Sequence, residues 1–174
     1  SEVEEAAKEA KRLIEELNRS TEKIARDAKK LIEELRKSAK ESADSARKLI
    51  EELKKRGAEE EAVKRAADIA KEAIDRSRKL VKEAEEIARE AIKKAERTDE
   101  EAARIAKRAI EAAEEGADVK KALEDVKRAA DKAKEDNKKL LKEVEDAARE
   151  AKRADRELNK RVKEAADKAK EEAN

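Results

Sequence analysis

The chain has no cysteine, histidine, proline, methionine, phenylalanine, tryptophan or tyrosine, and only two glycines. Each absence removes a class of explanation. Without cysteine there is no disulfide, thiolate ligand or thiol nucleophile, and the redox compartment is unreadable. Without histidine the ordinary neutral-pH base and the commonest transition-metal ligand are gone. Without aromatic residues there is no stacking platform for bases. No apolar run nears the ~20 residues of a membrane span, and no signal peptide or targeting segment is present. Location is therefore unreadable beyond the expectation of a soluble chain.

What is present is charge and helix-forming residues. Asp, Glu, Lys and Arg make up 55% of 174 residues, yet the net charge is only +1. Ordinary domains carry about 25% charged residues. The apolar set is 37 Ala, 11 Leu, 10 Ile and 7 Val. Most of these types, with Glu, Lys and Arg, favour the helix, and breakers are nearly absent. High charge alone would fit disorder, but the balanced sign and the phased apolar residues oppose it. The same balance opposes a nucleic-acid partner, which would require a basic stripe.

The apolar residues recur every 18 positions. From Ala10 the chain reads AKRLIEEL, from Ala28 AKKLIEEL and from Ala46 ARKLIEEL. Leu17, Leu35 and Leu53 form one such series, Ile69, Ile87 and Ile105 a second, and Val126, Val144 and Val162 a third. Eighteen residues make about five whole helical turns, so the apolar stripe returns to its starting angle. A heptad would impose a left-handed supercoil and an 11-residue repeat a right-handed one. This period predicts straight helices without supercoil, each ~80 Å long at 1.5 Å per residue.

The two glycines divide the chain into thirds. Gly57 and Gly116 suit the left-handed residue that follows a helix. Ser1 with Glu4 reads as a capping box, and Asp118 as an N-cap. The expected helices are 2–55, 59–114 and 118–172, within one domain spanning 1–174. Short turns place neighbours antiparallel, so the fold class is all-α: a single-chain, up-down-up three-helix bundle. Thr98–Asp99–Glu100–Glu101 reads locally as a second capping box, but Ile87 and Ile105 keep phase across it, so the middle helix is expected to continue.

On helical wheels each helix carries one apolar arc. The centre of the second arc is Ala-rich (Ala66, Ala73, Ala88, Ala91, Ala106), with Ile and Val at its flanks. Some positions inside the arcs are polar because the repeat is broken there. Asn137 and Asp155 follow Val119, Asn159 follows Leu123 and Leu141, and Ser42 follows Ile24. Antiparallel folding puts Ser38, Ser77 and Asp155 on one level, Ser42 and Asn159 on the next turn, and Ser20 and Thr21 level with Asn137. Two buried hydrogen-bonded layers are expected: Ser38/Ser42/Ser77/Asp155/Asn159 and Ser20/Thr21/Asn137. Buried polar groups persist when they partner one another. Here they would penalise slipped registers that a uniform core allows. The competing reading is polarity placed at the edge of each arc for solubility.

No residue set points to catalysis, cofactor or metal. Ser38, Ser77 and Asp155 include no base able to activate a hydroxyl near neutral pH. Carboxylates without a loop make a poor Ca²⁺ cage, and no Gly-rich phosphate loop exists. No cofactor and no partner is required, and neither nucleic acid nor membrane is expected. A monomer is the leading expectation, and self-association through the Ala-rich stripes or through Ile74, Ile92 and Ile110 the alternative.

Near-ideal repeats, Glu/Lys/Arg surfaces, single-glycine turns and missing Cys, His and aromatics together resemble de novo designed, parametric helical bundles. The likeness spans the whole chain. The 18-residue period resembles the untwisted members of that class, and the polar positions resemble designed hydrogen-bond networks. The core departs from them in being Ala-rich and without Phe. The resemblance implies a non-enzymatic structural scaffold, or alternatively a rigid building block for self-assembly or for binding a partner helix.

Overall fold

A computed structural model describes residues 1–172, and these form three helices: α1 (Glu2–Lys55), α2 (Glu60–Glu114) and α3 (Val119–Glu172). All three pack against one another as an all-α three-helix bundle, with no strand among the described residues. The helix starts for α2 and α3 fall one residue later than the sequence reading placed them.

The ends are set by local chemistry. The hydroxyl of Ser1 accepts the Glu4 amide at 3.2 Å, and Asp118 Oδ1 accepts the Lys120 amide at 3.0 Å. Each satisfies a donor that a first helical turn leaves unpaired. Gly57 and Gly116 have φ of 73° and 110°. The Gly57 amide donates to the Lys54 carbonyl and the Ala58 amide to the Leu53 carbonyl. Gly116 and Ala117 repeat this on Ala113 and Ala112. This is the double closure that a left-handed residue permits. It forms at Gly116 although Glu114 and Glu115 face the unfavourable end of the helix dipole.

α2 runs through Thr98 without a break, as the phase of its isoleucines required. The Thr98 hydroxyl donates to the Lys94 carbonyl at 2.8 Å, one turn back, and so caps nothing.

The chain divides into two compact units, each drawing a segment from every helix. The first comprises Ser1–Lys29 and Ala88–Val144. In it, Ala10 packs with Ala106 and Val126, and Leu17 with Ala102 and Ala133. Residue numbers rise on α1 and α3 as they fall on α2, which is the up-down-up order. The second comprises Lys30–Ile87 and Glu145 onward. Its core joins Ile50 and Leu53 to Val63, Ala66, Ala70, Leu158 and Val162. Arg36 on α1 pairs with Glu85 on α2 at 2.6 Å.

The repeat maps onto burial. Leu17, Leu35, Leu53, Val126, Val144 and Val162 are all at most 1% exposed. The central alanines of α2 (Ala66, Ala73, Ala88, Ala91, Ala106) are buried too. The flanking isoleucines divide. Ile74, one of the three isoleucines offered for self-association, is buried within the second unit's core. Ile92 and Ile110 are half-buried, and among the described residues Ile87 is the exposed large apolar side chain, at 39%.

Candidate functional site

Six polar side chains inside the bundle form two separate layers, one in each unit. Each takes one residue from each helix.

In the second unit, Asp155 on α3 is 3% exposed. Its carboxylate accepts the Ser38 hydroxyl of α1 at 2.9 Å and the Ser77 hydroxyl of α2 at 2.5 Å. The three residues that the antiparallel fold places on one level are thus joined through the Asp155 carboxylate. Ser42 and Asn159 do not join them. Ser42 is 6% exposed, but its hydroxyl bonds no partner among the described residues. Asn159 is exposed. The reason lies in its series: Leu123 and Leu141 are themselves only half-buried. The Leu-to-Asn break therefore falls at the edge of the apolar arc, where polarity costs little. The five-residue layer read from the sequence is corrected to three.

In the first unit the centre is Asn137 on α3, 1% exposed. Its Nδ2 donates to Thr21 Oγ1 of α1 at 3.0 Å and to Asp99 Oδ1 of α2 at 2.9 Å. The Thr21 hydroxyl also bonds the Asp99 carboxylate. Ser20, expected in this layer, is half-buried and bonds no side chain; the adjoining Thr21, about 100° further round the helix, takes the inward position. Asn137 Oδ1 is the buried side-chain atom left without a partner among the described residues.

Asp99 is the member that sequence reasoning missed. In the sequence it reads only as part of a capping box. A signal was available, because Asp99 follows Val63 and Val81 at the 18-residue spacing. The three are 7%, 6% and 7% exposed, so the angle is the same and only the chemistry changes. Burial pushes the Asp99 carboxyl above its ordinary value, and nearby Glu96 adds to this; hydrogen bonds from Thr21 and Asn137 oppose it.

Among the described residues no Lys or Arg forms an ion pair with either layer's carboxylate, so each is held by neutral donors. That arrangement can orient three helices. Among the described residues no cluster of three His, Cys, Asp or Glu is placed to hold a metal ion, and no helix is long and apolar enough to cross a membrane.

The surface pairs lie apart from the layers. Arg12 bridges Glu9 and Glu16 within one face of α1, and such exposed pairs add little to stability.

The chain matches no protein-family model, no curated protein and no solved structure.

Proposed function

We propose that the chain is a structural scaffold without catalytic activity, of the kind that designed parametric bundles represent, and that it acts as a monomer. One observation carries this reading: each buried polar layer joins all three helices, and each sits where the 18-residue repeat is broken. A uniform repeat makes successive levels of the core alike, so alternative registers differ little in energy. A buried hydrogen-bonded layer removes that degeneracy, because slippage leaves polar groups without partners. The chemistry of the layers suits alignment of the three helices.

The test uses one variant and two readouts. Thr21, Asp99, Asn137 and Asp155 are replaced by Val, and Ser38 and Ser77 by Ala. The variant is expected to keep its helicity while its amide NMR spectrum changes from one peak per residue to several. A single sharp set of peaks in the variant would remove the alignment role. Light scattering of the native protein addresses the alternative, a self-assembling building block. The scaffold reading expects a particle of 19.6 kDa, and a stable multiple of that mass would favour assembly.

A further inference from the structure

We infer that the α1/α2 face of the first unit is a docking groove for a basic amphipathic helix. Two adjoining cavities, of about 450 and 540 Å³, lie along this face and share Ala103. On α1 the lining residues run from Ala7 to Ala25, and on α2 from Ile92 to Glu114, recurring every third or fourth position on both. The groove therefore follows two antiparallel helices for about 18 residues, or roughly 27 Å at 1.5 Å per residue. Its apolar floor includes Ile14, Ile24, Ile92 and Ile110, all half-buried. A helix laid in such a trough covers them with anchors spaced i, i+3/i+4, i+7.

Charge selects the occupant. The cavity around Thr21 is lined by Glu22, Glu96, Asp99 and Glu100, with no Lys or Arg. The adjoining stretch adds Glu15, Glu111 and Glu114 against Lys11 and Lys107. The opposite groove, between α2 and α3 near Ile105, is lined by Arg108, Arg128 and Lys132 against Asp125 alone. In a chain of net charge +1 the two grooves thus have opposite sign. Asp99 lies at the floor, 7% exposed, and its carboxyl is held by neutral donors. A Lys or Arg placed between the apolar anchors of the docked helix supplies its counter-charge. The partner is thus a helix with a narrow Leu or Ile stripe, flanked by Lys and Arg.

The probe is an 18-residue, fluorescein-labelled, amidated peptide with Leu at the anchor positions and Lys elsewhere. A scrambled peptide of identical composition is the control. Fluorescence anisotropy against the full chain is expected to show saturable binding by the amphipathic peptide, weakened by added salt, and at least roughly tenfold weaker binding by the scrambled one. Ile14→Lys with Ile92→Lys should weaken binding by roughly tenfold or more, whereas Ile105→Lys in the opposite groove should leave it unchanged. Glu22→Lys with Glu100→Lys, both exposed, tests the same groove without touching the core. Isoleucine methyl NMR should place the peptide-induced shifts at Ile14, Ile24, Ile92 and Ile110 and leave Ile69 and Ile74 unmoved. Equal binding of the scrambled peptide, groove variants that bind as the native chain does, or methyl shifts confined to Ile105 would each overturn the assignment.

Discussion

Replacing Asn137 alone by Val should destabilise the protein, although it restores the apolar repeat. Asn137 is almost fully enclosed and donates from Nδ2 to Thr21 and Asp99. Val removes both bonds and leaves the Asp99 carboxylate buried with Thr21 as its remaining donor. Removing one partner of a buried, charge-assisted bond costs about 2–4 kcal/mol. Against this, Val also removes the unpartnered Oδ1, whose desolvation costs about 1–3 kcal/mol. The single variant should therefore lose about 1 kcal/mol. Replacing Thr21, Asp99 and Asn137 together by Val should reverse the sign, because no buried charge remains. Apolar replacement of a whole buried polar set is neutral or stabilising by about 1–4 kcal/mol. Urea unfolding followed by far-ultraviolet circular dichroism measures both, since the chain has no Trp or Tyr to report by fluorescence. A single variant more stable than the native chain, or a triple variant whose loss equals or exceeds the single one, would refute the claim that the three residues act as one unit.

Other consequences follow from burial and titration. The folded-state pKa of Asp99 is raised, so its protonated form is favoured in the fold; its contribution to stability is fully present below the ordinary carboxylate pKa and is lost as pH rises through the higher folded value. Asp99→Asn should flatten that part of the stability profile measured by urea unfolding between pH 3 and 7, and an unchanged slope would count against a desolvated carboxyl. Leu17→Ala, at a position with 0% exposure, should cost about 2–5 kcal/mol, whereas Ile87→Ala on the surface should cost well under ~1 kcal/mol. Asn159→Leu should change stability by no more than about 0.5 kcal/mol, because Asn159 is exposed and outside the layer; a large gain or loss would return it to the core. Gly57→Ala should lower stability by about 1 kcal/mol through backbone strain at φ 73° alone, since an added Cβ meets nothing within 4 Å.

The three helices were legible because their ends and phases are written in local chemistry. Gly57, Gly116, Ser1 and Asp118 mark the boundaries, and the series of Leu17 and Val126 marks the buried stripe. The level of Ser38, Ser77 and Asp155 also followed from geometry, since two short turns in an antiparallel bundle leave little freedom of register. Depth was harder to read. Asn159 and Asp155 lie four residues apart on α3, and both break a repeat. Whether each faces the core depends on where an arc ends, and the half-buried Leu141 shows how gradual that edge is. Asp99 was obscured for a different reason. Thr98–Asp99–Glu100–Glu101 carries a strong local cap signal, and local pattern competed with the longer repeat linking Asp99 to Val63 and Val81. The opposite signs of the two grooves were not legible at all, because they arise from which helices adjoin rather than from any one helix.

The central claim is that breaks in the repeat fix one alignment of the three helices. Pulsed electron–electron double resonance tests it directly. Spin labels at two exposed positions of the first unit, Arg19 on α1 and Lys138 on α3, report the alignment of these helices. The native chain should give one narrow distance distribution. The variant with both layers made apolar should give a broadened or divided one while remaining helical. An equally narrow, unshifted distribution in that variant would show that the apolar repeat aligns the helices without the polar layers, and would contradict the account.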